Sequence, residues 1–146
     1  MIIINIANQT LTFQNKIYSI SSAINGVGEE EGSFKTPLGR FKIAEKFGQK
    51  LPLNSVFKAR VATGEIYTSD LSQKYPDRDW ILTRILWLEG VQSHNENTKE
   101  RYIYIHGSPD DTIMGVPGSK GCIRMKNSDI IKLFEKVKIN EEVTIQ

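Results

Sequence analysis

The sequence has one cysteine, two histidines and five prolines, and each scarcity excludes something. A lone cysteine, Cys122, cannot close a disulfide within the chain and rules out a four-cysteine zinc site. With only His94 and His106 as histidines, a His-rich metal centre is not expected either, and nothing in the pattern calls for a metal or cofactor. Lysine and arginine total 19 against 17 acidic residues, a net charge of +2. A charge so nearly balanced gives no electrostatic reason to expect a nucleic acid or an anionic membrane as partner. No stretch approaches the ~20 apolar residues of a membrane span. The opening run Ile2-Ile3-Ile4-Asn5-Ile6 is short, and the run over residues 81–88 is interrupted by Thr83 and Arg84. With no basic residue before it, the opening run is also too brief for a signal-peptide core. The expected location is therefore the cytoplasm, or the periplasm or cell wall if a leader precedes this sequence.

What is present is ordinary for a folded protein: 146 residues, 39% hydrophobic and 25% charged. This length suits a single domain over residues 1–146, large enough to bury a core unaided. Residues 2–6, 10–13 and 16–20 read as a meander of three short strands, alternating or rich in isoleucine. Glu29, Glu30 and Glu31 read as a solvated acidic loop. Further strands are expected at 40–44, after the turn Thr36-Pro37-Leu38-Gly39, and at 55–59. Residues 67–79 read as polar and irregular. Residues 80–88 are apolar on both faces, as in a strand buried on both sides. Residues 91–100 read as a surface loop with His94 a plain surface histidine. In 101–105, period-two alternation sends Tyr102, Tyr104 and His106 to one face, Ile103 and Ile105 to the other. One helix is expected, capped by Asn127 or Ser128, with Asp129 in its first turn and Ile130, Phe134 and Val137 at helical spacing. A last strand holds Val143 and Ile145. Many strands and one late helix predict a mainly β, mixed-sheet barrel or sandwich.

Chemistry concentrates between His106 and Cys122. Six of the 15 residues between them are glycine or proline (Gly107, Pro109, Gly115, Pro117, Gly118, Gly121), against about 12% in average proteins. A loop so long and so punctuated in a compact domain is usually functional, and here its pattern predicts a shaped path. Its ends carry the residue types of thiol nucleophilic catalysis. A free thiol is only about 3% thiolate at pH 7, so a nearby imidazolium, helped by Lys120, would have to raise that share. Gly121 would let a substrate carbonyl approach the backbone, and amides around Cys122 could hold an oxyanion. Arg124, two residues on in an extended chain, could grip a carboxylate. The residues alone also admit a buried, inert cysteine and a structural histidine.

At these residues the sequence resembles the catalytic domains of L,D-transpeptidases of the YkuD type. The resemblance rests on Ile105-His106-Gly107-Ser108 and Ser119-Lys120-Gly121-Cys122-Ile123-Arg124-Met125. It extends to Ala7-Asn8-Gln9-Thr10-Leu11, to Thr36-Pro37-Leu38-Gly39-Arg40-Phe41, to the helix after Cys122 and to Val143-Thr144-Ile145. It implies a barrel-like mixed β-sheet with the cysteine at the mouth of a cleft, and peptidoglycan stem tetrapeptides as partners. It also implies a reaction: the thiolate attacks the carbonyl of the third residue, D-alanine leaves, and an amine or water resolves the thioester. By the same resemblance Cys122 is the nucleophile, His106 the base and later the acid, and the Gly107 carbonyl orients the imidazole. Gly121 and Cys122 amides face the oxyanion, Ser119 shapes the loop, Arg124 holds substrate carboxylate or supports the site, and Tyr104 walls the cleft. Lys120 stands where the family has histidine. Three functions follow: a transpeptidase, a carboxypeptidase of the same site trimming D-alanine with water, or a domain that binds stem peptides without turnover. Nothing in the sequence fixes an oligomeric state.

Overall fold

The computed structural model describes residues 1–146. Ten strands form one sheet. They are β1 (Ile2–Asn5), β2 (Thr10–Phe13), β3 (Lys16–Ser19), β4 (Gly39–Phe47), β5 (Ser55–Lys58), β6 (Val61–Ile66), β7 (Ile81–Gly90), β8 (Tyr104–Ser108), β9 (Ile123–Lys126) and β10 (Glu142–Ile145). The order is β3-β2-β1-β10-β4-β7-β5-β6, with β8 and β9 added to β7. Most pairs are antiparallel; β1 with β10 and β8 with β9 are parallel. The long strand β7 organises the curl. It pairs with β5 near its start, with β4 further on and with β8 as well. Between Leu82 and Ile85 its register shifts at Thr83, a β-branched residue at φ +74°. Such a conformation is a true outlier for threonine and bends the strand there.

The two-sided burial expected of residues 80–88 has a simple cause: β7 divides two apolar clusters. Leu86 and Leu88 join a core of 20 buried residues that also takes Ile103, Ile105, Ile123, Met125 and the apolar face of a helix. On the other side Ile85 packs with Phe57 and Tyr104, against Trp87 and Cys122. Slipping β8 by one residue would exchange Ile105 for Tyr104 and His106 in the main core, so both clusters hold the register.

The helix after Cys122 is α2 (Asn127–Lys136), with Ile130, Leu133 and Phe134 buried. Its start departs from expectation. The cap is Lys126, with no side-chain capping bond. Asn127 is inside the helix, and its side-chain amide is spent on Thr83, Asn54 and Asp110 instead. The one-helix expectation is also corrected: residues 69–74 of the supposedly irregular stretch form α1 (Ser69–Lys74). It buries no residue and begins with Thr68 Oγ1 accepting from Leu71 N. A short polar helix has no apolar stripe for periodicity to find. Residues 91–100 hold a one-turn 3-10 helix, Ser93–Asn95. This loop is tied down by fully buried Asn95, which donates to Leu38 O and Arg40 O. His94 remains largely exposed, its Nε2 3.1 Å from Leu38 O.

Candidate active site

Strands β8 and β9 lie side by side in parallel, pairing Ile105 with Ile123 and His106 with Arg124. Cys122 is the residue that enters β9. The chain therefore delivers the imidazole and the thiol to one place from two neighbouring strands, and the loop between them is the parallel crossover. That loop follows a shaped path, fastened to residues 20–22. Gly115 N donates to Ile20 O at 2.8 Å, Gly118 N and Ser119 N donate to Ser22 O at 2.8 and 2.9 Å, and Ser21 Oγ donates to Val116 O at 2.7 Å. Ser119 Oγ donates to Cys122 O, and Thr36 Oγ1 donates to Gly121 O at 2.9 Å. Gly121 sits at φ +131°, a conformation open to glycine and strained for other residues.

His106 is 1% exposed. Its Nδ1 lies 2.6 Å from Gly107 O. A carbonyl only accepts, so Nδ1 carries the proton and Nε2 is left as the acceptor in the neutral ring. Burial pulls the His106 pKa below its usual value, and Arg124 adds to this, against the Gly107 hydrogen bond and Asp79. Gly107 is confined in turn: a Cβ there would stand 2.5 Å from Asn127 Oδ1 and 2.6 Å from Leu82 O. Behind it lies a closed polar set. Thr83 Oγ1 donates to Asn127 Oδ1 at 2.6 Å and accepts from Asn54 N at 3.0 Å, while Asn127 Nδ2 donates to Asn54 Oδ1 at 2.8 Å.

Cys122 shows part of its surface to solvent, but its sulfur is set among apolar and main-chain atoms. Tyr104 N donates to Sγ at 3.3 Å, and Sγ donates to Tyr102 O at 3.4 Å. Burial pushes the thiol up to about 12, against the pull of Tyr104 N–H, Arg124 and Arg101, and with Asp79 adding to the rise. The direction is opposite to the lowering expected from an adjacent imidazolium, and its leading cause is burial of the thiol itself. Sγ makes no hydrogen bond to His106 in the free site.

Of the two amides expected at an oxyanion, Gly121 N donates to Ser119 Oγ at 3.2 Å. Cys122 N makes no protein hydrogen bond and is the open donor. Arg124 Nη1 donates to Gly118 O at 2.9 Å and Nη2 to Asp79 Oδ1 at 3.2 Å. Tyr104 is buried against Cys122, and its OH accepts from Arg60 Nη1 at 2.9 Å. Lys120 is exposed and lines a hollow of about 280 Å³ with Glu31, Phe34, Glu100 and Tyr102. The cations acting on the thiol are Arg124 and Arg101. Arg101 is fixed by donating to Gly28 O and to Lys35 O.

Residues 1–145 match the model of the YkuD family, the L,D-transpeptidase catalytic domain. The chain belongs to this family. Its fold is similar to that of an L,D-transpeptidase from Xylanimonas cellulosilytica, at 17% identity and a TM-score of 0.63, covering 99% of this chain and 59% of that one. It is similar also to one from Mycobacterium smegmatis, at 18% identity and a TM-score of 0.59, covering 99% and 57%. A third is L,D-transpeptidase 3 from Mycobacterium tuberculosis, solved with a faropenem-derived adduct, at 16% identity and a TM-score of 0.59, covering 99% and 59%. The chain thus spans 57–59% of the length of these structures. No curated protein matches it.

Within this L,D-transpeptidase domain the sequence pattern located the His106-Gly107 pair, the loop and Cys122, but not the groups around them. Asp79 on Arg124, Arg60 on Tyr104, Arg101, and the Thr83–Asn127 pair all act through contacts between distant segments. Tyr102 alone had a signal, the alternation shared with Tyr104. It stacks on Trp87 at 6.2 Å, with Arg60 5.0 Å above its ring.

Proposed function

We propose that this domain is a cysteine acyl-transfer enzyme of peptidoglycan stem tetrapeptides, with Cys122 as nucleophile and His106 as general base and acid. The observation that carries the reading is the bond from His106 Nδ1 to Gly107 O at 2.6 Å, which presents a basic Nε2 on the strand adjacent to the thiol. The third member of a triad has this task, and here a main-chain carbonyl does it.

The step balances within the pair. Neutral Cys122 gives its proton to His106 Nε2 as sulfur attacks the carbonyl carbon of the third stem residue. Cys122 N–H donates to the oxyanion as it forms. When the tetrahedral centre collapses, the C–N bond breaks and D-alanine leaves as the amine, taking the proton back from Nε2. The thioester is then opened by an amine of a second stem or by water, which gives its proton to Nε2; as the C–S bond breaks, the departing sulfur takes that proton and the neutral pair is restored. The high resting pKa of the thiol fits concerted proton transfer rather than a standing thiolate.

The test is to incubate the protein with purified tetrapeptide, with and without an acceptor amine, and follow products by mass spectrometry. Loss of D-alanine is expected. A dimeric stem as product identifies the transpeptidase, and tripeptide alone the carboxypeptidase. Faropenem should add mass to Cys122 and none to Cys122→Ala. Absence of turnover and of any adduct on the wild type would overturn the enzyme reading in favour of a stem-peptide-binding domain.

A further inference from the structure

Residues 67–80, which join β6 to β7, carry α1 and bring Asp79 to the site. The segment contacts itself and β6. Tyr67 meets Trp80 edge-on at 5.0 Å, Arg78 lies 4.1 Å over Tyr75, and Arg78 pairs with Glu65 at 2.8 Å. Its helix α1 buries nothing. One polar contact ties it to the site, Asp79 on Arg124. A segment with few buried apolar groups and one such tie opens at low cost relative to the core.

Arg124 itself is fixed. Its main chain exchanges two hydrogen bonds with Ser21, its register partner is His106, and Nη1 is held by Gly118 O. Only Nη2 points to a group that can leave, the Asp79 carboxylate, whose side chain is 37% exposed. Asp79 and Arg124 act in opposite senses on the Cys122–His106 pair, so the ion pair lies within electrostatic reach of the chemistry.

We propose that in the free domain Asp79 holds the place on Arg124 that a substrate's carboxylate takes, so that the site selects peptides with a free carboxylate beside the scissile bond by exchanging one carboxylate for another. This inference rests on the acyl-transfer reading above. No covalent bond changes in the exchange; Arg124 is neutralised before and after, and Asp79 moves to solvent with residues 67–80. Asp79 is then a specificity-determining residue, a standing competitor that an amidated or carboxylate-free peptide cannot replace.

Calorimetric binding in a Cys122→Ala background tests this without turnover. The probes are a stem tetrapeptide with a free C-terminal carboxylate and the same peptide as its C-terminal amide. The acid should bind more tightly than the amide. Adding Asp79→Asn, which is isosteric, should tighten the acid by about two- to fivefold, the range of a partly exposed ion pair, and leave the amide unchanged. Asp79→Glu should stay near the parent. An unchanged affinity for the acid, an equal gain for both peptides, or no binding of either would overturn the proposal. Turnover by the unmodified protein reports separately on the acyl-transfer reading. If the binding contrast holds without turnover, that reading fails and the exchange stands; if turnover occurs without the contrast, only the exchange fails.

Discussion

Replacing Gly107 by alanine adds one methyl at the point where the base is oriented, and the structure sets its cost. The backbone of Gly107 is not left-handed, so alanine is conformationally allowed and the penalty is one of space. The new Cβ would lie 2.5 Å from Asn127 Oδ1, 2.6 Å from Leu82 O and 3.1 Å from Thr83 Cβ. Leu82 O belongs to the main chain of the paired strand, and Asn127 is held by three hydrogen bonds, so neither can turn aside. Strand β8 must move off β7. Overpacking of this kind costs about 1–3 kcal/mol, which for a chain near 150 residues lowers the melting temperature by about 2–12 °C. The same movement displaces the carbonyl that accepts from His106 Nδ1, so turnover should fall further than stability alone would explain. Thermal unfolding and nitrogen NMR of the His106 ring read the two effects separately. Gly115→Ala is the control, since Gly115 has φ +86° and nothing within 4 Å of a Cβ. It should cost only the left-handed backbone penalty of about 1–2 kcal/mol and leave the His106 signals in place. A Gly107→Ala protein with unchanged melting and an unchanged His106 tautomer would refute the reasoning.

Three further outcomes are expected. His106 has a folded-state pKa below its unfolded value, so the unfolded chain binds the proton first and stability falls as pH drops below about 6.5. Urea midpoints at pH 7 and pH 5 should differ more in the wild type than in His106→Asn, and equal differences would count against a buried neutral imidazole. The thiol is raised, so iodoacetamide alkylation of Cys122 should still be accelerating above pH 10, and a plateau near pH 7 would contradict the environment described for the sulfur. Thr83→Val keeps shape but removes a buried hydroxyl that donates to Asn127 and receives from Asn54. Urea unfolding should show a loss of about 1–3 kcal/mol, largely restored in Thr83→Ser, and a neutral Thr83→Val would show that the polar set contributes nothing to stability.

Sequence reasoning works here where burial imposes a period. The alternation of Tyr104, Ile105 and His106 was legible because β8 faces a different apolar cluster on each side, although the strand starts at Tyr104 and not at residue 101, where a turn holds Tyr102 at φ +57°; α2 was legible because Ile130 and Phe134 fall on one stripe, with Val137 just past its end. Strand β6 left no such trace: five of its six residues are exposed, so no apolar alternation marks it, and α1 escaped for the same reason. Asn127 looked like a cap because asparagine favours that position, yet its amide is claimed by Thr83 and Asn54, which the chain brings from far away. At the site, the His106 to Cys122 span was legible from composition. Asp79, 45 positions from Arg124, resembled any other surface acid until the fold placed it.

The parallel pairing of β1 with β10 bears on how the chain folds. Ile2, Ile3 and Ile4 lie against Val143, Thr144 and Ile145, and β10 is the only link between the opening meander and β4. During synthesis β1 cannot gain its parallel partner until residues 142–145 emerge. Closing so long a loop is entropically costly and slow, and the waiting edge invites pairing with another chain. Aggregation during refolding should therefore track the availability of four residues remote in sequence from both Cys122 and His106.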